Sequence, residues 1–264
     1  MTVAFAELRE RADRRWQELN DAAWVRVGGG VSGEAAGCDE VIEAFNSELK
    51  STGVAATVSR VGMYGICYAE PLVDIKTPGG PRVWYANVTP EQVPGLIAQH
   101  VKGEQPVVAK AFGYEPAGEG QVLQGVTRFE DLPDVAAQTR IATRNFGHVD
   151  PQDLLQYVAN GGYSGLDKAL DSMAPDQVLE EVKGSGLRGR GGAAFPTGLK
   201  WSFLSGNPAK EKYILCNCEE GDPGAFNDKA ILESDPHTLL EGLILAGYAT
   251  NSSKGFIFIR QGHD

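Results

Sequence analysis

The sequence predicts an α/β protein of more than one domain, and three observations carry that expectation. Apolar residues recur in some stretches at helical three-and-four spacing and in others at the period of two that marks strands. The 264 residues exceed the roughly 150 expected of a single domain. Glycine is in excess, 33 residues, and is clustered rather than spread.

Taken in order, residues 4–20 place Phe5, Leu8, Ala12, Trp16 and Leu19 on one stripe of a leader helix. Residues 23–27 read as a strand, followed by a glycine-rich turn. Residues 39–49 carry Val41, Ile42, Phe45 and Leu49 on a helix face. Strands are expected at 54–61, 71–75 and 81–88, the last two separated by Thr-Pro-Gly-Gly-Pro at 77–81. Thr89 and Pro90 then open a helix to about Val101. The resulting order is β-α-β-β-β-α. Periodicity weakens over 108–132, which reads as an exposed linker. Beyond it, short helices are expected near 150–157, 165–171, 176–183 and 201–204, a strand at 212–216, a long helix at 236–249 and a strand at 255–259. The expected domains are 1–112, a linker at 113–135, and 136–264. The last reads as an incomplete α/β domain, because a strand stands near its end with no closing element.

Composition narrows the function. A formal charge of −11 disfavours a phosphate backbone, so nucleic acid is a poor partner. No apolar run reaches the roughly 18 to 20 residues of a membrane span. The four cysteines are too sparse for a secreted disulfide scaffold, and a reducing cytoplasm is expected. His100, His148, His237 and His263 have no partners at catalytic spacing, so neither a hydrolytic triad nor any other catalytic side chain is expected.

Two segments match G-x-G-x-x-G literally. The first, at 28–33, follows a strand, but Gly37 intervenes before the helix and the next strand ends without a ribose-binding acid; a tight turn is the simpler reading. The second, at 184–189, follows a charged helix. It opens the run Gly-Ser-Gly-Leu-Arg-Gly-Arg-Gly-Gly-Ala-Ala-Phe-Pro-Thr-Gly-Leu-Lys at 184–200. Uncrowded backbone amides, a helix start at Pro196 and Thr197, and the cations Arg188, Arg190 and Lys200 suit a phosphate or pyrophosphate; the bland alternative is a hinge. Downstream, Cys-Asn-Cys-Glu-Glu-Gly-Asp-Pro-Gly at 216–224 sits at a strand end, where carboxylates can accept ribose or ribityl hydroxyls. No metal site is expected there, since Cys216 and Cys218 alone do not complete a zinc shell.

These two motifs, with Arg-Asn-Phe-Gly at 144–147, Gly-Gly-Tyr at 161–163 and Asp-Pro-His at 235–237, strongly resemble the NADH-binding, FMN-containing flavoprotein subunit shared by respiratory complex I, NAD-linked hydrogenases and NAD-dependent formate dehydrogenases. The resemblance covers most of 136–260. It implies that Gly189, Arg190, Gly191, Gly192 and Lys200 cradle FMN, and that Asn217, Glu219 and Glu220 hydrogen-bond the flavin. Phe195 and Phe203 then hold NADH, with Asp222 near the nucleotide. Glu219 stands where aspartate is usual. The family's further parts, including a [4Fe–4S] domain, are not in these residues.

Residues 23–102 are similar to the thioredoxin-like [2Fe–2S] ferredoxin domain often fused in front of this flavoprotein. That family needs four cysteines; here the first pair is missing, Met63 replaces one of the second, and Cys67 remains, with Cys38 at a helix start. The expectation is that no [2Fe–2S] cluster binds. The implied fold is thus a thioredoxin-like domain followed by the first part of an FMN/NADH-binding α/β domain. The implied function is an NADH:FMN oxidoreductase subunit passing electrons between NAD(H) and iron–sulfur centres of a hydrogenase, formate dehydrogenase or complex I type assembly. Two alternatives stay open: a docking module without chemistry, and a small NAD(P)-binding unit using Gly28, Gly30, Gly33 and Arg60.

Overall fold

The computed structural model describes residues 1–222 and 224–260, so His263 lies outside the described residues. The chain forms two compact units: Arg11–Tyr157 with Glu233–Asp235, and Met1–Glu10 with Val158–Leu232 and Pro236–Asp264. Among the described residues no helix is long and apolar enough to cross a membrane.

The first unit contains most of helix α1 (Val3–Asp21), then β1 (Trp24–Gly28), α2 (Gly30–Ala35), α3 (Cys38–Thr52), β2 (Thr57–Val61), β3 (Val73–Lys76), β4 (Arg82–Tyr85), α4 (Val93–Leu96), β5 (Ala111–Glu115), α5 (Pro133–Ala136) and most of α6 (Leu154–Ala159). The sheet order is β2-β1-β3-β4-β5, with β1 and β2 parallel and the other pairs antiparallel. A β-α-β start feeding an antiparallel pair is the thioredoxin-like arrangement. Alternation decides the two faces. Val25, Val27, Val73, Ile75, Val83 and Tyr85 point to the core shared with Val41 and Phe45 of α3 and Leu96 of α4. Trp24, Arg26, Asp74, Arg82 and Trp84 point the other way, and that face is buried too.

Three details differ from the sequence reading. The turn at 28–33 is a strand leading directly into α2 at Gly30, and Gly37 separates α2 from α3 rather than delaying the first helix. A Cβ on Gly33 would lie 2.4 Å from the Gly28 carbonyl oxygen, so close backbone approach explains that glycine without a ligand. Within the stretch read as an exposed linker, β5 pairs with β4, and Phe129 stacks on Trp84 at 4.0 Å between ring centroids. Finally, the helix after Thr89 passes through a π-helical turn at Ile97–Val101, where Lys102 N–H donates to the Ile97 carbonyl at 2.8 Å.

Two buried titratable groups in this unit act with opposite sign. His100 is fully buried, with Nδ1 2.8 Å from the Tyr85 hydroxyl, and burial pushes it from 6.5 down to about 4. The unfolded chain takes up its proton first, so this contribution is full above pH 6.5 and is lost as pH falls towards 4. Burial pushes Glu70 from 4.5 up to about 7, so its contribution is full below pH 4.5 and is lost as pH rises towards 7. Each window is worth about 3 kcal/mol, and the two nearly cancel where they overlap. Glu70→Gln removes the second. Stability from urea unfolding should then climb steadily from pH 4.5 to 6.5. A flat profile in the variant would refute the assignment.

The second unit holds α7 (Ser164–Ser172), α8 (Pro175–Gly184), α9 (Thr197–Ser205), β6 (Tyr213–Cys218), most of α10 (Asn227–Ser234), α11 (Pro236–Thr250) and β7 (Lys254–Ile259). Only α10 was not anticipated. Strands β6 and β7 pair in parallel, Leu215 opposite Phe256 and Asn217 opposite Phe258. A small core of Ala169, Val178, Leu179 and Ala249 joins α7, α8 and α11, with Trp201 of α9 packed on it.

Candidate functional site

The glycine run begins where α8 ends. A Cβ on Gly198 would sit 2.6 Å from the Lys183 backbone, so only glycine lets the first turn of α9 close against α8. Between these helices the chain folds back on itself through an antiparallel bridge of Arg188 with Pro196. Gly189 N–H donates to the Phe195 carbonyl at 2.9 Å, and Thr197 N–H to the Leu187 carbonyl at 2.9 Å. The Arg188 guanidinium donates to the Ala194 carbonyl at 3.0 Å and ties the loop base. Arg190, Gly191 and Gly192 are thereby held at an exposed tip. Gly192 has φ +87°, in the left-handed region that favours glycine. A Cβ on Gly191 or Gly192 would meet no protein atom within 4 Å, so the tip faces open space.

Helix α9 carries the exposed Lys200 in its first turn. Residues 184–200 contain three cations and no carboxylate, which makes this loop locally basic in an acidic chain. Phe195 and Phe203 are brought together, their ring centroids 6.4 Å apart, and stand 44% and 63% exposed. Large rings left in water beside a basic loop are suited to stacking on a flat ligand.

At the end of β6, Asn217, Glu219 and Asp222 are exposed. The Asn217 Oδ1 accepts from the Glu219 N–H at 3.2 Å, which fixes the turn. Glu220 is different. It is buried, and its carboxylate accepts from the N–H groups of Asn227, Asp228 and Lys229, the first turn of α10. Expected as a flavin hydrogen-bond acceptor, Glu220 uses its side chain to anchor α10, while Arg260 donates to its carbonyl at 2.8 Å. The sequence signal missed was the Asn-Asp start of α10, seven residues downstream. Glu220→Ala should lower stability by about 2 kcal/mol, measured as denaturant midpoint shift at constant slope. An unchanged midpoint would refute the anchoring role.

Cys216 and Cys218 share one face of β6, their Sγ atoms 3.6 Å apart; burial and the Cys216 thiol push Cys218 up to about 12. Cys38 is buried against Arg60, whose Nη2 lies 3.4 Å from its Sγ, and burial pushes it up to about 11. Cys67 is exposed. Groups of three or more metal-ligating side chains are absent among the described residues. The described histidines make structural contacts: His100 meets Tyr85, His148 meets Arg82, and His237 meets Tyr163.

An open, basic glycine loop at a helix start and a polar strand-end loop, both in one unit with a parallel strand pair, suit the holding of a nucleotide or flavin. Comparison with known proteins narrows it. Residues 182–264 match the family model described as the Nuo51 FMN-binding domain. The NADP-reducing hydrogenase subunit HndC of Solidesulfovibrio fructosivorans is 52% identical over 123 residues, 47% of this chain and 25% of that protein. An NADH-quinone oxidoreductase subunit of Rhizobium meliloti (strain 1021) is 48% identical over 120 residues, 46% of this chain and 28% of that protein. The chain thus spans about a quarter of the length of these curated relatives. Among solved structures, a thioredoxin-like [2Fe–2S] ferredoxin from Aquifex aeolicus is 24% identical with a TM-score of 0.32, covering 37% of this chain and 97% of that one.

Proposed function

We propose that this chain is part of an NAD(H)-dependent FMN oxidoreductase subunit that serves a multi-subunit electron-transfer complex. The observation that carries the reading is the loop at 187–197, closed at its base by backbone hydrogen bonds and empty of protein around Gly191 and Gly192. FMN, when bound, supplies hydride exchange with NAD(H) and single-electron exchange with iron–sulfur centres. The amides of Arg190, Gly191 and Gly192, with Lys200, hold its phosphate, while the Gly189 N–H, donated to the Phe195 carbonyl, closes the loop base. Asn217 and Glu219 address its polar groups, and Glu220 keeps their loop in place through α10. Phe195 and Phe203 stack NADH, and Asp222 meets its nucleotide hydroxyls. The chain's own contribution is alignment rather than proton transfer.

Iron–sulfur and catalytic subunits of the hydrogenase, complex I or formate dehydrogenase type are the partners in this reading, in the cytoplasm, with a [4Fe–4S] centre outside these residues. The thioredoxin-like unit holds no [2Fe–2S] cluster. Met63 is buried, Cys38 is held as a thiol, and a Cβ at Gly28 would lie 3.0 Å from the Glu70 carboxylate. Stoichiometric iron and acid-labile sulfide after reconstitution would overturn that statement.

A second reading, docking without chemistry, draws on the outer face of β6 and β7. Leu215, Phe256 and Phe258 stand 66%, 51% and 54% exposed there, whereas parallel strands are ordinarily covered on both faces. Titration of the full chain with FMN separates the two: saturable quenching of flavin fluorescence supports the first, and no binding supports the second.

A further inference from the structure

Within the thioredoxin-like unit, the face of the sheet opposite α3 carries a cavity of about 440 Å³. Trp84 and Phe129 form a stacked pair with planes 18° apart, and Tyr64 stands edge-on to both, at 6.4 and 5.9 Å. Phe146 adds a further ring to the lining. Three interlocked rings keep the wall rigid without a ligand.

Charge around this cavity is unbalanced. Asp74 is a buried carboxylate, and Arg26 and Arg82 both bind it at 2.8 Å. Arg82 also lies over the Trp84 ring at 4.4 Å and reaches His148 Nδ1 at 3.0 Å, and His148 lines the cavity. Arg140, also in the lining, adds a third guanidinium. Its Nη2 donates to the Tyr64 carbonyl at 2.9 Å, but its buried Nε has no acceptor among the described residues, and neither has the buried Nε1 of Trp84. The lining's carboxylates, Glu115 and Glu130, have side chains 58% and 71% exposed, where solvent screens them, with Glu115 3.8 Å from Arg82. Burying a donor without an acceptor is costly, and two such donors beside an aromatic cavity call for an acceptor from outside.

We propose that this cavity is a binding site for a planar aromatic carboxylate of one or two fused rings, its ring against the Trp84–Phe129 wall and its carboxylate on the Arg140 guanidinium. Flat rings match the wall, a guanidinium fork matches a carboxylate, and the surplus of buried cations favours an anion over a neutral ligand. The site is independent of the FMN loop, since every residue of its lining belongs to Arg11–Tyr157.

The test is calorimetric titration of the full chain with 2-naphthoate and with its neutral analogue 2-naphthalenemethanol. The acid should bind with one-to-one stoichiometry at least about tenfold tighter than the alcohol. Arg140→Met should bring the acid down to the level of the alcohol and leave the alcohol unchanged. Arg140→Lys, which keeps the charge and loses the fork, should fall between. Should Arg140→Met unfold, the exposed variant Glu130→Gln supplies the reading, with the acid tightened about twofold by loss of a like charge. Equal affinity for the two probes, no saturable binding, or indifference to both substitutions would overturn the proposal. So would binding of an aromatic peptide side chain in place of either probe, which would make the cavity a protein-docking pocket.

Discussion

Replacing Asp74 by alanine should destabilise the thioredoxin-like unit by about 3–5 kcal/mol, the cost of leaving buried charges without their partner. Asp74 is fully buried; its Oδ1 accepts from Arg26 and Arg82, and its Oδ2 from Arg82 and Tyr64. Burial pushes this carboxyl up, but Arg26 and Arg82 more than offset it, and the group stays below the usual carboxylate range. Removing it leaves two guanidiniums facing each other in a dry layer. Arg82 would keep the Gly147 carbonyl at 2.6 Å, whereas Arg26 would keep only its position over the Trp24 ring at 4.2 Å. Because the chain has two units, the readout must belong to this one. Hydrogen exchange of the β1, β3 and β4 amides serves, since those strands open with the sheet. Protection factors within a few-fold of the parent would show that the network carries little of the stability.

The second large effect is expected at the glycine loop. Gly191→Val should weaken FMN binding by about 100-fold or more, roughly 3 kcal/mol, by keeping the ligand phosphate away from the loop amides. Position 191 is chosen over 192 for a reason of backbone geometry. Gly192 has φ +87°, so a side chain there strains the loop with or without ligand, whereas Gly191 does not lie in the left-handed region. A Cβ at 191 also meets no protein atom within 4 Å. The variant should therefore melt like the parent and differ only with FMN present. Unchanged FMN affinity would remove this loop from the flavin site.

Periodicity made most of the architecture legible in the sequence. The alternation of Val25 and Val27, Val73 and Ile75, and Val83 and Tyr85 marks one core face, and the strands form there. What alternation could not show is that the other face is buried as well, because its residues include Arg26, Asp74 and Arg82, charged types that pair only across three strands. Strand β5 escaped for a related reason. It is short and holds Gly113, where a Cβ would press at 3.3 Å on Phe129 and Leu132, so the glycine that looked like linker composition admits a neighbour instead. Helix α10 has Glu220 at its N-terminus, a contact across a turn that periodicity does not report. The glycine loop was legible because crowding is the one property that glycine composition reports directly. Gly198 is tight against α8 while Gly191 is open. Glu220 was read from its acidity as a flavin partner, but acidity alone does not show that its carboxylate accepts from the first turn of α10.

The most direct test of the central claim is anaerobic addition of NADH to the full chain loaded with FMN, following the visible flavin absorbance and the NAD+ formed. The account predicts bleaching of the flavin band, with one NAD+ for each flavin reduced. FMN that binds at the glycine loop yet stays oxidised in the presence of NADH would contradict it.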